Sequence, residues 1–156
     1  MGAFNTFPLS YKVAGARILV VGGGVEALNK ARLAARTSAE VVVVATAIEA
    51  DFSSLPVTVA ARPFVAADLD GAAICFVADR GPDGTAAIAE ARRRRIPLNV
   101  VDVPAECDFY TPSIVDRAPL TVAISTEGDA PVLARLVRAR IEALLAPETG
   151  AVARLA

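Results

Sequence analysis

Short apolar runs alternate with amphipathic ones along this chain, and the two periods alone outline a fold. Residues 16–21 (ARILVV) form an apolar run that ends at glycine, the pattern of a buried strand. Residues 26–36 follow as helix formers without a breaker. Residues 41–45 (VVVVA) and 57–61 (VTVAA) read as a second and a third strand, and Asp68 and Leu69 begin a short helical turn. A fourth strand over 73–78 (AICFVA) is closed by the turn-rich DRGPDG. A helix over 85–95 leads to a fifth strand at 98–101 (LNVV).

Strands that alternate with helices predict a parallel sheet covered on both faces, and strands that are apolar throughout predict the same. Right-handed crossovers then make the expected fold an α/β Rossmann-like doubly wound sheet with the first strand at its centre. After Asp102 the pattern changes. Prolines become frequent, residues 119–124 (PLTVAI) read as one more strand, and a helix follows. Asp129 is the expected N-cap and Pro131 fits the first turn. Leu133, Leu136, Val137, Ile141 and Leu144 share one face, and Pro147 and Gly150 are expected to end the helix. The expected organisation is a nucleotide-binding domain over 1–104 and a small strand-plus-helix segment over 105–156. That segment would complete the sheet or pair with a second copy of the chain.

Composition narrows the chemistry. The 156 residues are 54% hydrophobic and 21% charged with a net charge of −1, enough for a real core and no footprint for nucleic acid. No apolar run approaches the roughly 18 residues of a membrane span. With no secretory signal visible and Cys75 and Cys107 lacking metal-ligand spacing, a reducing cytoplasmic setting is expected, with no metal site. Cys75 lies in a strand and reads as a buried, inert thiol. Histidine is absent, which excludes histidine triads and histidine-ligated metals. Proton transfer then falls to carboxylates, hydroxyls, lysine, arginine or a cofactor.

Three consecutive glycines, Gly22, Gly23 and Gly24, stand where the first strand turns into a helix. Lacking Cβ, they let a phosphate approach the main chain at a helix N-terminus. Gly22, Gly24 and Ala27 occupy the positions of a G-x-G-x-x-G/A dinucleotide fingerprint. The alternative is a turn required only for close helix–strand packing. Where dinucleotide sites carry a ribose-binding acid at the end of the second strand, this chain has Thr46, so NAD and NADP are not distinguished.

The stretch ILVVGGGVEALNKARL resembles the opening of the precorrin-2 dehydrogenase family, which includes the N-terminal module of siroheme synthases. NVVDVPAECDFYTPSIVDRAPLTVAIST (99–126) resembles that family's second signature, and GDAPVLARLVRARIEALL its following helix. The resemblance runs from about Phe7 to Ala156. It implies NAD-dependent oxidation of precorrin-2 to sirohydrochlorin by a homodimer, some relatives also inserting iron. It further implies Asp102, the aspartate of N-V-V-D, as the acid/base residue. As an elementary reading, Asp102 is a carboxylate following a parallel strand, where such sheets bind ligands; the competing reading is a loop-capping carboxylate.

The nucleotide contacts expected are Gly22, Gly23, Gly24, Val25, Glu26 and Thr46, with Ala78 and Asp79 in the pocket wall. Arg117, Ser125, Thr126 and Arg135 are expected on the substrate side, although hydroxyls there also suit orphan N–H groups and arginines also bridge subunits. The run Arg92 to Arg95 reads as a solvated helix end.

Departures from the family pattern are Asn29 for the arginine of R-K, Glu26 in the first helical turn, and Gly81-Pro82-Asp83-Gly84 after the fourth strand. The resemblance implies a helical domain after this segment, expected to be missing or truncated in the sequence given. A diverged, non-catalytic nucleotide- or tetrapyrrole-binding dimer is the alternative function.

Overall fold

The computed structural model of the chain describes residues 3–152. Contacts divide it into two units, residues 8–109 and residues 3–7 with 110–152.

The larger unit is a five-stranded parallel sheet in the order β3-β2-β1-β4-β5, with β1 (Arg17–Val21) central. β2 (Glu40–Ala45) and β3 (Thr58–Ala61) lie on one side of it, β4 (Ala72–Val77) and β5 (Leu98–Val100) on the other. This is the doubly wound sheet that the apolar runs predict. Because β1 is covered on both faces, its side chains split by parity. Ile18 and Val20 pack with Val41, Val43 and Phe76 beneath α1 (Val25–Ala34). Leu19 and Val21 pack with Val42, Val44, Cys75 and Val77 beneath α2 (Pro82–Arg94). Each fully buried valine or leucine stabilises the fold by about 1.5–3 kcal/mol. α1 seats Ala27, Leu28, Ala31 and Ala34 on the sheet, and the three alanines bring the helix close. The buried Asp68 carboxylate accepts both Arg62 guanidinium nitrogens and the Val65 amide, fixing the 3₁₀ turn Ala66–Leu69.

α2 starts at Pro82, earlier than the turn-rich DRGPDG suggests. Proline suits a first helical position, and Asp79 accepts the amides of Gly81 and Gly84 at 2.9 and 3.3 Å. The four arginines close the helix as expected. Arg93 and Arg94 pair with Glu90, Arg92 with Glu106, and Arg95 is the left-handed C-cap.

In the smaller unit a hairpin of β6 (Ser113–Arg117) and β7 (Leu120–Ile124) forms its own antiparallel sheet rather than extending the parallel one. β6 carries no extended apolar run and is not visible as a strand in the sequence. α3 (Pro131–Leu144) is capped by Ala130, not Asp129. The Thr126 hydroxyl accepts the Ala130 amide at 3.3 Å, and no side chain caps the first turn of α3. α3 ends before Pro147, but Gly150 lies inside a further short helix, α4 (Thr149–Val152), where a Cβ would stand 1.9 Å from the Arg117 carbonyl oxygen. Among the described residues, no helix is long and apolar enough to cross a membrane.

Candidate functional site

All five strands of the large unit run the same way, so the segments after β1, β2, β4 and β5 share one edge of the sheet. The chain leaves β1 toward β2 on one side and reaches β4 on the other, which opens a crevice between β1 and β4 at that edge.

The three glycines divide the work there. Gly22 has φ +133°, and a Cβ on it would come within 3.1–3.2 Å of Ala78 and Asp79, so the turn into the crevice requires glycine. A Cβ on Gly23 would lie 1.9 Å from the Ala47 carbonyl oxygen, so this glycine serves close packing against the segment after β2. At Gly24, the N-cap of α1, a Cβ would meet only Glu49 Oε2, at 3.6 Å. With no capping side chain at Gly24, the first amides of α1 point toward this edge without an intrahelical acceptor. The packing and phosphate-cradle readings of the glycine run therefore apply to different residues. Val25 and Glu26 open the helix, both exposed, and the Glu26 carboxylate suits the positive helix end.

The Ala78 and Asp79 amides both bond to the Val21 carbonyl, at 2.8 and 3.2 Å, which holds the start of the β4–α2 loop beside Gly22. Asp79 caps α2, as described above. Thr46 donates its hydroxyl to Asp83 Oδ2 at 2.9 Å, joining the end of β2 to the first turn of α2. The same Asp83 accepts the Phe64 amide through its other oxygen. The Gly-Pro-Asp-Gly departure thus builds a helix start that engages Thr46.

Asp102 follows β5 in a left-handed conformation, φ +60°. The turn carrying it closes through Val103 N to Val100 O at 3.2 Å. Cys107 Sγ organises that loop from within. It accepts the Val100 amide at 3.3 Å and lies 3.2 Å from the Val100 and 3.4 Å from the Val103 carbonyl oxygens. Asn99 braces the same loop by donating to the Phe109 carbonyl at 2.9 Å. The exposed Asp102 carboxylate accepts no hydrogen bond from another described residue, so it does not cap its own loop.

Lys30, noted in the sequence only as the remnant of R-K, belongs to this edge. Its Nζ lies 5.4 Å from the centroid of the Phe76 ring. Burial lowers its pKa, while electrostatic interaction with Cys107, Glu26 and Asp102 opposes the shift. Neither its role nor that of Glu49 is evident from spacing, because both depend on how loops fold back onto α1.

The remaining expected residues lie in the smaller unit. Arg117 donates to the Leu145, Asp116 and Glu142 carbonyl oxygens at 2.8–3.0 Å, which ties β6 to the end of α3. Ser125 Oγ accepts the Glu127 amide, and Thr126 supports the start of α3. Both hydroxyls satisfy orphan N–H groups. Arg135 is exposed on α3.

A family described as putative NAD(P)-binding matches residues 9–113, and the central family of sirohaem biosynthesis proteins matches residues 117–144. The chain is 46% identical over 154 residues to siroheme synthase of Pseudomonas entomophila (strain L48), and 41% identical over 157 residues to that of Thiobacillus denitrificans (strain ATCC 25259 / T1). These alignments cover 96% and 97% of this chain, which spans 33% of the length of each relative. The solved structure of SirC, precorrin-2 dehydrogenase, superposes with a TM-score of 0.82 over 96% of this chain and 76% of that one, at 19% identity, and supports the fold. The chain therefore belongs to the putative NAD(P)-binding family, and it is similar over nearly its whole length to one third of the length of those siroheme synthases.

Proposed function

We propose that this chain is an NAD-dependent dehydrogenase that oxidises precorrin-2 to sirohydrochlorin. One observation carries the reading: an uncapped helix N-terminus beside an open Gly24 and an exposed carboxylate, Asp102, that accepts no hydrogen bond from another described residue lie at the same strand edge of one unit. The family match supports a dinucleotide there, and the siroheme synthase relatives support the substrate.

The site fits the cofactor in kind. Peptide N–H groups of Gly24, Val25 and Glu26 would hold its pyrophosphate, with Gly22, whose amide bonds to the Val44 carbonyl, and Gly23 shaping the loop beneath it, and Ala78 and Asp79 would border it. When bound, NAD supplies a hydride acceptor. The chain's own task is the proton. Asp102 is exposed and available to receive it, and the Cys107-braced loop keeps its carboxylate in place. Lys30 supplies positive charge on the same side.

For a substrate rich in carboxylates, we assign Arg135 to direct contact. Arg117, Ser125 and Thr126 form the framework behind it. The exposed apolar side chains Val132, Leu133, Leu136 and Leu144 of α3, with Leu120 of β7, support a homodimer. A cytoplasmic location and the division at residues 104/105 belong to the same reading.

The test is NADH formation on mixing the chain with NAD and precorrin-2. Turnover carries the proposal. A folded dimer that binds nucleotide without turnover overturns it in favour of a binding module.

A further inference from the structure

The geometry points to Glu49 as the residue that selects an unphosphorylated adenosine ribose, and so NAD over NADP. The inference deepens the dinucleotide reading and rests on it.

Dinucleotide sites of this fold hold the ribose hydroxyls with an acid from the end of β2, placed beside the glycine loop. In this chain β2 ends at Ala45 and the next polar residue is Thr46, whose hydroxyl donates to Asp83 at 2.9 Å. The backbone then folds back. Glu49 N and Ala50 N both bond to the Gly23 carbonyl at 2.9 Å, and a Cβ on Gly23 would collide with Ala47. This fold-back carries the Glu49 carboxylate over the glycine loop, with Oε2 3.6 Å from the Cβ position of Gly24.

Glu49 is exposed, and its carboxylate bonds to no other described residue. It is an acceptor with two oxygens open, beside the cradle assigned to the pyrophosphate. Two vicinal hydroxyls match such an acceptor. A 2′-phosphate does not, because like charges would meet, and the segment 46–51 (TAIEAD) supplies no lysine or arginine to offset them.

The experiment is calorimetric titration of the full chain with NAD and with NADP, for the wild type and the variants Glu49→Gln, Glu49→Arg and Asp51→Asn. The wild type is expected to bind NAD at least about tenfold more tightly, the scale of a hydrogen bond to a charged group. Glu49→Gln should narrow that ratio about tenfold and Glu49→Arg reverse it, whereas Asp51→Asn, which removes an exposed carboxylate that accepts the Ser53 amide, leaves it unchanged. Thermal melts should coincide for the Glu49 variants, since the side chain is exposed. A ratio that persists in Glu49→Gln and Glu49→Arg while NAD still binds overturns the selector role and leaves the dinucleotide reading standing. A wild type that binds neither nucleotide overturns both.

Discussion

Gly23 and Ala47 pack so closely that a methyl group on Gly23 would lie 1.9 Å from the Ala47 carbonyl oxygen. Backbone cannot yield as a flexible side-chain tip can. Gly23→Ala is therefore expected to destabilise the fold by about 2–3 kcal/mol, the upper range for overpacking. Urea denaturation reads this directly, and a midpoint equal to the wild type's would contradict the contact.

Gly24→Ala should behave differently. Its new methyl would make only an ordinary contact, 3.6 Å from Glu49 Oε2. Stability should stay within about 0.5 kcal/mol of the wild type. Affinity for NAD should nonetheless fall, because the methyl stands where the pyrophosphate approaches the main chain. Calorimetry beside a thermal melt separates the two effects. Unchanged NAD affinity would remove Gly24 from the cradle.

Asp102→Asn keeps a residue type that tolerates the left-handed conformation at φ +60° while removing the carboxylate proposed as proton acceptor. Turnover should drop by about 10²–10⁴-fold, the range for a positioned acid or base. NAD affinity should persist. Full activity in this variant would reassign the proton transfer.

Acid should release Asn5 and Thr6 from Glu127 within the smaller unit. The Glu127 carboxylate accepts the Asn5 amide, the Thr6 amide and hydroxyl, and the Asn5 side-chain amide, at 2.7–3.1 Å. The Thr6 hydroxyl and amide, followed by the Asn5 donors, hold its pKa below the ordinary glutamate value against partial desolvation. A folded pKa below the unfolded one means that the contribution is fully present above the unfolded value, about 4.3. It is lost as pH falls through the lowered folded value. Amide protection factors at Asn5 and Thr6, followed by NMR from neutral pH down to about pH 3, should show this loss. Protection that is constant over the range would exclude Glu127 as the clamp. Glu127→Ala should release the same two amides at neutral pH.

The Cys75 thiol should report on opening of the sheet. Burial pushes the Cys75 thiol up to about 12, and it is fully enclosed in the sheet. Iodoacetamide at about pH 8 should leave Cys75 unmodified until the sheet unfolds, since only thiolate reacts. Peptide mapping after a short pulse checks this, and labelling of Cys75 under native conditions would mean that β4 opens locally.

Most of the parallel sheet was legible in the sequence, because strands buried on both faces must be apolar throughout and few other elements are. The hairpin partner β6 was not. Ser113, Asp116 and Arg117 dilute its apolar residues, and its order depends on pairing with β7. Local signals also misled where a second group competed. Asp129 resembles a cap, but α3 begins one residue later, with Ala130 at the cap position and no capping side chain. Pro82 and Gly84 resemble a turn, but Asp79 makes them a helix start. At the site, the glycine loop and Asp102 were legible because both follow strands directly. Glu49 and Lys30 were not, since their placement comes from backbone folding back and from an aromatic ring on a neighbouring strand. Arg117 shows the converse. Its carbonyl partners at the end of α3 leave no trace in the sequence near it.

The mouth of α1 is lined with peptide groups, and that has a consequence for how such a protein can change. Main-chain donors are the same in every sequence that adopts the turn, so point substitutions have little purchase on them. Cofactor preference can drift only through the few side chains overhanging the mouth. Here that leaves a narrow set of positions, chiefly in the 46–51 segment, at which a new specificity could arise without rebuilding the sheet.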